Sequence, residues 1–211
     1  MNTPWTNRMK SERPRAERDF YATPQGLAND ATFWLFAEHS FPHVPLRVLD
    51  PGAGTGVWGR AVNREMPSSR VVGVDIALPS AGDMGVYDAY HQMDYRDFDD
   101  AGFHLVIGNP PYALAEAFVR KSLDLLPSGG YIYFLLQLNF LGSRGRQVGL
   151  FAEFPPQYIY VLTRRPSFFS VEGKAKSTDA NNYAMYLWQK GYQGPTTLKW
   201  LYWEYENLSL S

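Results

Sequence analysis

Apolar runs alternate with segments of helical character along most of this chain, and few folds accept that order. Residues 46–50, 70–75, 103–107 and 131–138 are short runs rich in Val, Ile, Leu, Tyr and Phe. Each reads as a buried strand, and helical patterns over 24–38, 57–65, 113–126 and 144–154 separate or follow them. Thr23 is placed as the N-cap of the first helix and Pro24 as its first residue. Residues 86–93 are ambiguous and make a third strand unit. Two more strands are expected over 158–163 and 183–189, and 198–205 reads as a further candidate. Strands alternating with helices predict an α/β fold with a doubly wound, mostly parallel seven-stranded sheet. The strands at 158–163 and 183–189 have no crossover helix between them, so an antiparallel strand is expected at that edge.

With 211 residues and 45% hydrophobic content, the chain has enough material for one domain with a real core. Residues 1–19 form an expected mobile basic arm, and 20–211 the domain. The net charge of −1 announces no polyanion partner, so any nucleic-acid binding has to come from local patches. The absence of cysteine excludes disulfides, thiolate metal sites and cysteine nucleophiles. His39, His43, His91 and His104 show no metal-ligand spacing, and no metal is expected. No apolar run approaches a membrane span and no signal-peptide core is seen, so a cytoplasmic protein is expected; the oligomeric state is left open, with the monomer slightly favoured. The aromatic stretch Trp200-Leu201-Tyr202-Trp203 reads as packing in preference to a base-stacking platform.

Asn109-Pro110-Pro111-Tyr112 carries the strongest chemical signal. It follows a buried strand, and two prolines there can neither continue a ladder nor start a helix in register, so the chain turns. The turn offers an amide side chain, a carbonyl and an aromatic ring at a strand's C-terminal edge, where open α/β sheets bind ligands. That set suits a planar molecule bearing an amino group.

A second constellation lies between the first strand and its helix, at Asp50-Pro51-Gly52-Ala53-Gly54-Thr55-Gly56. The glycines allow close backbone approach and positive φ. No Gly-Lys-Ser/Thr follows, so this is not a phosphate-cradling loop. Asp50 stands two residues before the first glycine, where it would repel a pyrophosphate and attract an ammonium group. Asp75 ends the second strand, the position from which a carboxylate accepts hydrogen bonds from ribose hydroxyls. A ribose, a positive amino-acid part and no phosphate describe S-adenosylmethionine. Asp94 and Tyr95 are candidates for its adenine, Asp94 accepting from the amino group with Tyr95 beside the ring; the other reading is an acidic surface loop of Asp94, Asp97, Asp99 and Asp100. Methyl transfer to a ring amine then needs acceptors for its N–H groups. Asn109 and the Pro110 carbonyl supply them, Tyr112 stacks on the base, and no general base is required.

These residues resemble the amino-methyltransferases, most closely the DNA adenine-N6 methyltransferases of the small phage type. The resemblance covers most of the chain. It implies a Rossmann-like class I methyltransferase fold, a DNA partner and base flipping. Phe20-Tyr21-Ala22-Thr23-Pro24 is similar to the family's motif before the glycine loop, which places Tyr21 and Thr23 beside the cofactor's methionine end. Arg164-Arg165-Pro166-Ser167-Phe168 and Thr178-Asp179-Ala180 also resemble small phage-type adenine methylases. The resemblance implies that Phe168, or else Phe169, packs against the flipped base, the other reading of Phe168 being plain core. Pro111 and Tyr112 would contact the substrate. The span 164–182 carries Arg164, Arg165, Lys174 and Lys176 and would track phosphates, with Arg144 and Arg146 adding to that face. No separate recognition domain is visible, so short or relaxed sequence specificity is expected. Two rivals remain. One is a methyltransferase acting on RNA adenine or a protein glutamine; the other is a non-catalytic scaffold of the same fold.

Overall fold

The computed structural model describes residues 22–42, 44–79, 83–168 and 181–204. The N-terminal arm, Tyr21, His43, Phe169, Lys174 and Lys176 lie outside the described residues, as does most of the basic span 164–182.

Eight strands form one sheet: β1 (Arg47–Pro51), β2 (Arg70–Asp75), β3 (Ala89–Gln92), β4 (Leu105–Gly108), β5 (Tyr131–Gln137), β6 (Tyr158–Leu162), β7 (Tyr183–Gln189) and β8 (Thr197–Leu201). Their order is β3-β2-β1-β4-β5-β7-β6-β8. The chain winds outward from β1 to β3, returns to β4 on the other side of β1, and winds outward again. The strand order therefore reverses between β1 and β4, which are parallel neighbours with Val48 opposite Leu105. β7 runs antiparallel to both β5 and β6, while β6 and β8 are parallel. The antiparallel strand thus falls among the outer strands on the expected side. The sheet gains an eighth strand over the expected seven because 197–201 pairs with β6.

The central strands are mostly apolar, Asp50 of β1 being the buried exception, because both faces are covered. On one face α1 (Gln25–Glu38) and α2 (Val57–Glu65) set Leu27, Ala31, Leu35, Trp58 and Val62 against Val48, Ile107, Tyr133 and Leu135. On the other, α3 (Ala115–Leu125) sets Phe118, Val119 and Leu123 against Val106, Ile132, Phe134 and Leu136. Alternate β5 residues serve the two cores, as the pleat requires.

Local differences from the sequence reading have physical causes. α1 starts one residue later than expected, with Pro24 in the cap position at ψ 134° and no side-chain cap; the Thr23 hydroxyl is used elsewhere, as described below. β4 starts at Leu105, just after His104, whose ring accepts the Arg47 amide while its backbone N–H donates to the Arg47 carbonyl. The helix expected over 144–154 begins as α4 (Arg144–Arg146) and widens into a π turn over Gln147–Phe151. The C-terminal aromatic stretch divides by strand alternation: Leu201 and Trp203 are buried, while Trp200 and Tyr202 are 72% and 65% exposed. Trp203 donates its indole N–H to the Arg164 carbonyl at 3.0 Å. No described helix is long and apolar enough to cross a membrane.

Gly73 of β2 lies beneath two tyrosine rings. A Cβ there would stand 2.8 Å from Tyr90 Cδ2 and 3.0 Å from Tyr87 Cδ1. Gly73→Ala is expected to destabilise the protein by about 1–3 kcal/mol through overpacking, read from the urea midpoint. An unchanged midpoint would show that the rings move aside freely.

Candidate active site

The β1–β4 reversal brings two loops together above the sheet. After β1 the chain runs through three glycines at positive φ, Gly52 (76°), Gly54 (51°) and Gly56 (75°), a conformation that side-chain-bearing residues rarely adopt. Gly52 and Ala53 both donate to the Val74 carbonyl, at 2.7 and 3.2 Å, which folds the loop back over β2. Gly56 then leads directly into α2. After β4 comes Asn109-Pro110-Pro111, then a single 3₁₀ turn over Tyr112–Leu114 that feeds α3. The two loops are in close approach: a Cβ on Gly52 would lie 3.9 Å from Pro111 Cδ and 4.0 Å from the Asn109 carbonyl oxygen.

Two of the expected residues anchor this arrangement. Asp75, at the C-terminal end of β2, accepts the Gly54 amide on Oδ2 at 2.9 Å and the Ala77 amide on Oδ1 at 3.0 Å. It holds the glycine loop while each carboxylate oxygen keeps a further lone pair for a hydroxyl. Asn109 donates its side-chain N–H to the Thr23 hydroxyl at 3.2 Å. The segment before α1 is thereby tied to the Asn-Pro-Pro-Tyr turn, and that bond fixes which way the Asn109 amide is turned. Gln25 extends the same tie by donating to the Val57 carbonyl at 3.1 Å.

Tyr112 is half-buried, with its ring centroid 5.7 Å from that of Tyr183. Tyr183 in turn meets Phe168 edge-on at 5.1 Å. Phe168 is only 2% exposed and belongs to the core beneath Tyr183, so of its two readings the structure places it in the packing one. Pro110 is buried and Pro111 exposed. Arg164 and Arg165 are exposed at the end of β6, and Arg165 donates to Asn182 at 3.1 Å.

Two expectations are corrected, and a third residue, Asp94, is placed beside Arg96. Asp50 does not face the cleft as a partner for an ammonium group: it is fully buried, and the Tyr87 hydroxyl donates to its Oδ2 at 2.8 Å. Burial pushes its carboxyl up to about 7, against the opposing effect of the Tyr87 bond, with nearby Asp75 adding to the rise. Tyr95 does not offer its ring to a ligand. It is 2% exposed, packs 4.8 Å from Phe118, and shares a hydrogen bond with Ser122 under α3. Asp94 is engaged by its neighbour: it accepts the Arg96 amide and the Arg96 guanidinium, which holds its carboxyl below the usual range. Among the described residues, no group of three His, Cys, Asp or Glu side chains is placed to hold a metal ion.

Tyr87 was not legible as a site residue. Its hydroxyl sits between Asp50 and the Ala53 carbonyl, 3.3 Å away, and so braces the glycine loop from below. Burial and the adjacent Asp50 push the phenol upward, so it stays a donor. The only sequence signal was a tyrosine beyond the second strand opposite small residues, Gly59 and Gly73, that leave room for its ring.

The Asp50 carboxyl is raised in the folded state above its unfolded value, so folding retains a proton that the unfolded chain has released. The stability cost is absent below about pH 4, grows as pH rises, and is complete above about pH 7. Asp50→Asn removes this titration. Its stability relative to the parent protein is expected to rise by a few kcal/mol between pH 4 and pH 8 in urea unfolding; a difference independent of pH would refute the assignment.

No protein-family model matches the chain. Its sequence is similar to the type II methyltransferase M.XamI of Xanthomonas campestris pv. amaranthicola, 29% identical over 154 residues, covering 61% of this chain and 28% of that protein. The type II methyltransferase M.CvrRI of Paramecium bursaria Chlorella virus XZ-6E is 28% identical over 48% of this chain and 26% of its own length. The ribosomal RNA small subunit methyltransferase C of Klebsiella pneumoniae is 27% identical over 42% of this chain and 30% of its own length. The matched segments thus span less than a third of each of these relatives. Among solved structures, a class I S-adenosylmethionine-dependent methyltransferase of Listeria monocytogenes superposes with TM-score 0.61 at 15% identity, over 85% of this chain and 65% of that one. The plantazolicin methyltransferase BpumL, solved with S-adenosylhomocysteine (SAH), gives 0.53 at 12% identity, over 79% of this chain and 85% of that one. The chain therefore has the fold of the class I S-adenosylmethionine-dependent methyltransferases.

Proposed function

We propose that this protein transfers a methyl group from S-adenosylmethionine to the N6 amino group of adenine in DNA. The observation that carries the reading is the abutment of the Asn109 turn and the glycine loop at the β1–β4 reversal, with Asn109 held by Thr23. The similarity to two type II methyltransferases supports DNA as the polymer.

The residues present fit the cofactor. The positive-φ glycines leave a cradle that side chains would fill, and Asp75 stands at its rim with lone pairs for a ribose. When bound, S-adenosylmethionine supplies an electrophilic methyl group. The chain's own residues then have to present an amine whose lone pair is delocalised into a ring. The Asn109 side-chain oxygen and the Pro110 carbonyl accept the two N–H groups of that amine. This draws the nitrogen toward a tetrahedral shape and turns its lone pair toward the glycine-loop side of the cleft. Tyr112 lies against the ring and Pro111 borders it. A duplex substrate presents its base only once flipped from the stack. Arg164, Arg165, Lys174 and Lys176 are assigned to the DNA backbone, and recognition is short or relaxed. The cysteine-free sequence suits a reducing compartment, and the reading places the protein in the cytoplasm.

A second reading, RNA adenine as target, is favoured by the similarity to a ribosomal RNA methyltransferase. Incubation with labelled S-adenosylmethionine and duplex DNA, RNA or protein separates the readings. Label in N6-methyladenine of DNA is expected; label in RNA or in glutamine alone moves the assignment to that polymer, and no transfer to any of them removes the reading. Asn109→Ala is expected to lower turnover by about 10²–10³-fold or more while calorimetry still detects SAH binding. Thr23→Val, which removes the Thr23–Asn109 hydrogen bond, should lower kcat by about 10–10²-fold. Wild-type turnover in either variant would remove that side chain from the mechanism.

A further inference from the structure

A cavity of about 70 Å³ opens beside Tyr112, at the C-terminal ends of β4 and β5. Gln137 and Asn139 supply amide groups to its wall, Leu136 and Phe140 supply apolar surface, and Arg146 supplies a cation.

Arg146 is built into this wall. Its Nε donates to the Phe140 carbonyl at 2.7 Å, and its guanidinium carbon stands 4.4 Å from the Phe140 ring centroid. The Ser143 hydroxyl accepts its backbone N–H, fixing the turn that carries it. The guanidinium plane is thus set by two contacts, neither of them to a carboxylate. Arg47, Arg60, Arg96 and Arg120 each pair with a carboxylate, whereas among the described residues no carboxylate pairs with Arg146. A half-buried, pre-oriented guanidinium in a wall that also carries two neutral amides is matched by an anion with several acceptor oxygens. The Gln137 amide is compatible with this, since its contact to the Tyr183 hydroxyl is long, at 3.5 Å.

We propose that this pocket grips one phosphodiester of the strand that carries the target base, with Arg146 as the binding residue. The proposal rests on the nucleic-acid reading above and adds to it a specific clamp. The pocket shares Tyr112 with the site, so a nucleotide whose base lies against Tyr112 has its backbone within reach of Arg146. The clamp would hold the target nucleotide in place independently of base identity, as backbone contacts do.

The test is binding of a fluorescent adenine-containing DNA duplex, with SAH present, across a salt series. Arg146→Gln is expected to lower the slope of log K against log salt by about one and to weaken binding several-fold at low salt. SAH affinity should be unchanged. Arg146→Lys, which keeps the charge, is expected to keep the slope. A Gln variant with the parent slope and affinity overturns the clamp while leaving the methyl-transfer reading intact. A Lys variant that loses the slope as the Gln variant does also overturns it, by tracing the effect to packing on Phe140. A parent protein that binds SAH but no DNA sinks the nucleic-acid reading together with the clamp.

Discussion

The parallel pairing of β1 with β4 is the constraint on which the site depends. Val48 lies opposite Leu105 and Leu49 opposite Val106, although more than fifty residues separate the two strands. Because the pair is parallel, both C-terminal ends point the same way, and the loops that leave them meet. One loop has been stripped of side chains at three positions, and the other has been forced to turn by two prolines. Either alone would be an ordinary connection. Side by side they set a glycine-lined backbone against the Asn109 turn.

Holding that arrangement has a cost inside the protein. Asp50 ends its strand in a fully buried position, and its carboxyl is raised to about 7 by the loss of water. The Tyr87 hydroxyl partly offsets this, and the same hydroxyl reaches the Ala53 carbonyl of the loop. A buried acid and a buried phenol thus brace the glycine loop from below while Asp75 ties it from the rim. The loop is clamped on two sides, which fixes its positive-φ backbone.

Much of this was legible in the chain. The glycine loop, Asp75 and Asn109 sit at strand ends that apolar runs and turn residues mark unambiguously, and α2 matches its sequence pattern residue for residue. The errors cluster where a side chain's direction, not its position, decides its role. Tyr95 and Asp94 are adjacent, but the 3₁₀ turn sends the ring into the core and leaves the acid outside against Arg96. Trp200 to Trp203 divide between solvent and core by the pleat alone. Phe168 is buried because Tyr183 lies over it, a contact made by a strand beginning fifteen residues further on.

The amino-acid order by itself determined the alternation of strands and helices, the places where the backbone must turn, and the chemical groups at each turn. These are local properties, set by apolar periodicity, proline and glycine. Only the tertiary structure decided which turns face each other, that Thr23 receives Asn109, that Asp50 is shielded by Tyr87, and that Arg146 stands over Phe140 beside Tyr112. Such pairings join residues as far as 86 positions apart. They follow from strand order and from the burial each side chain finds after folding, and no local pattern in the sequence encodes either.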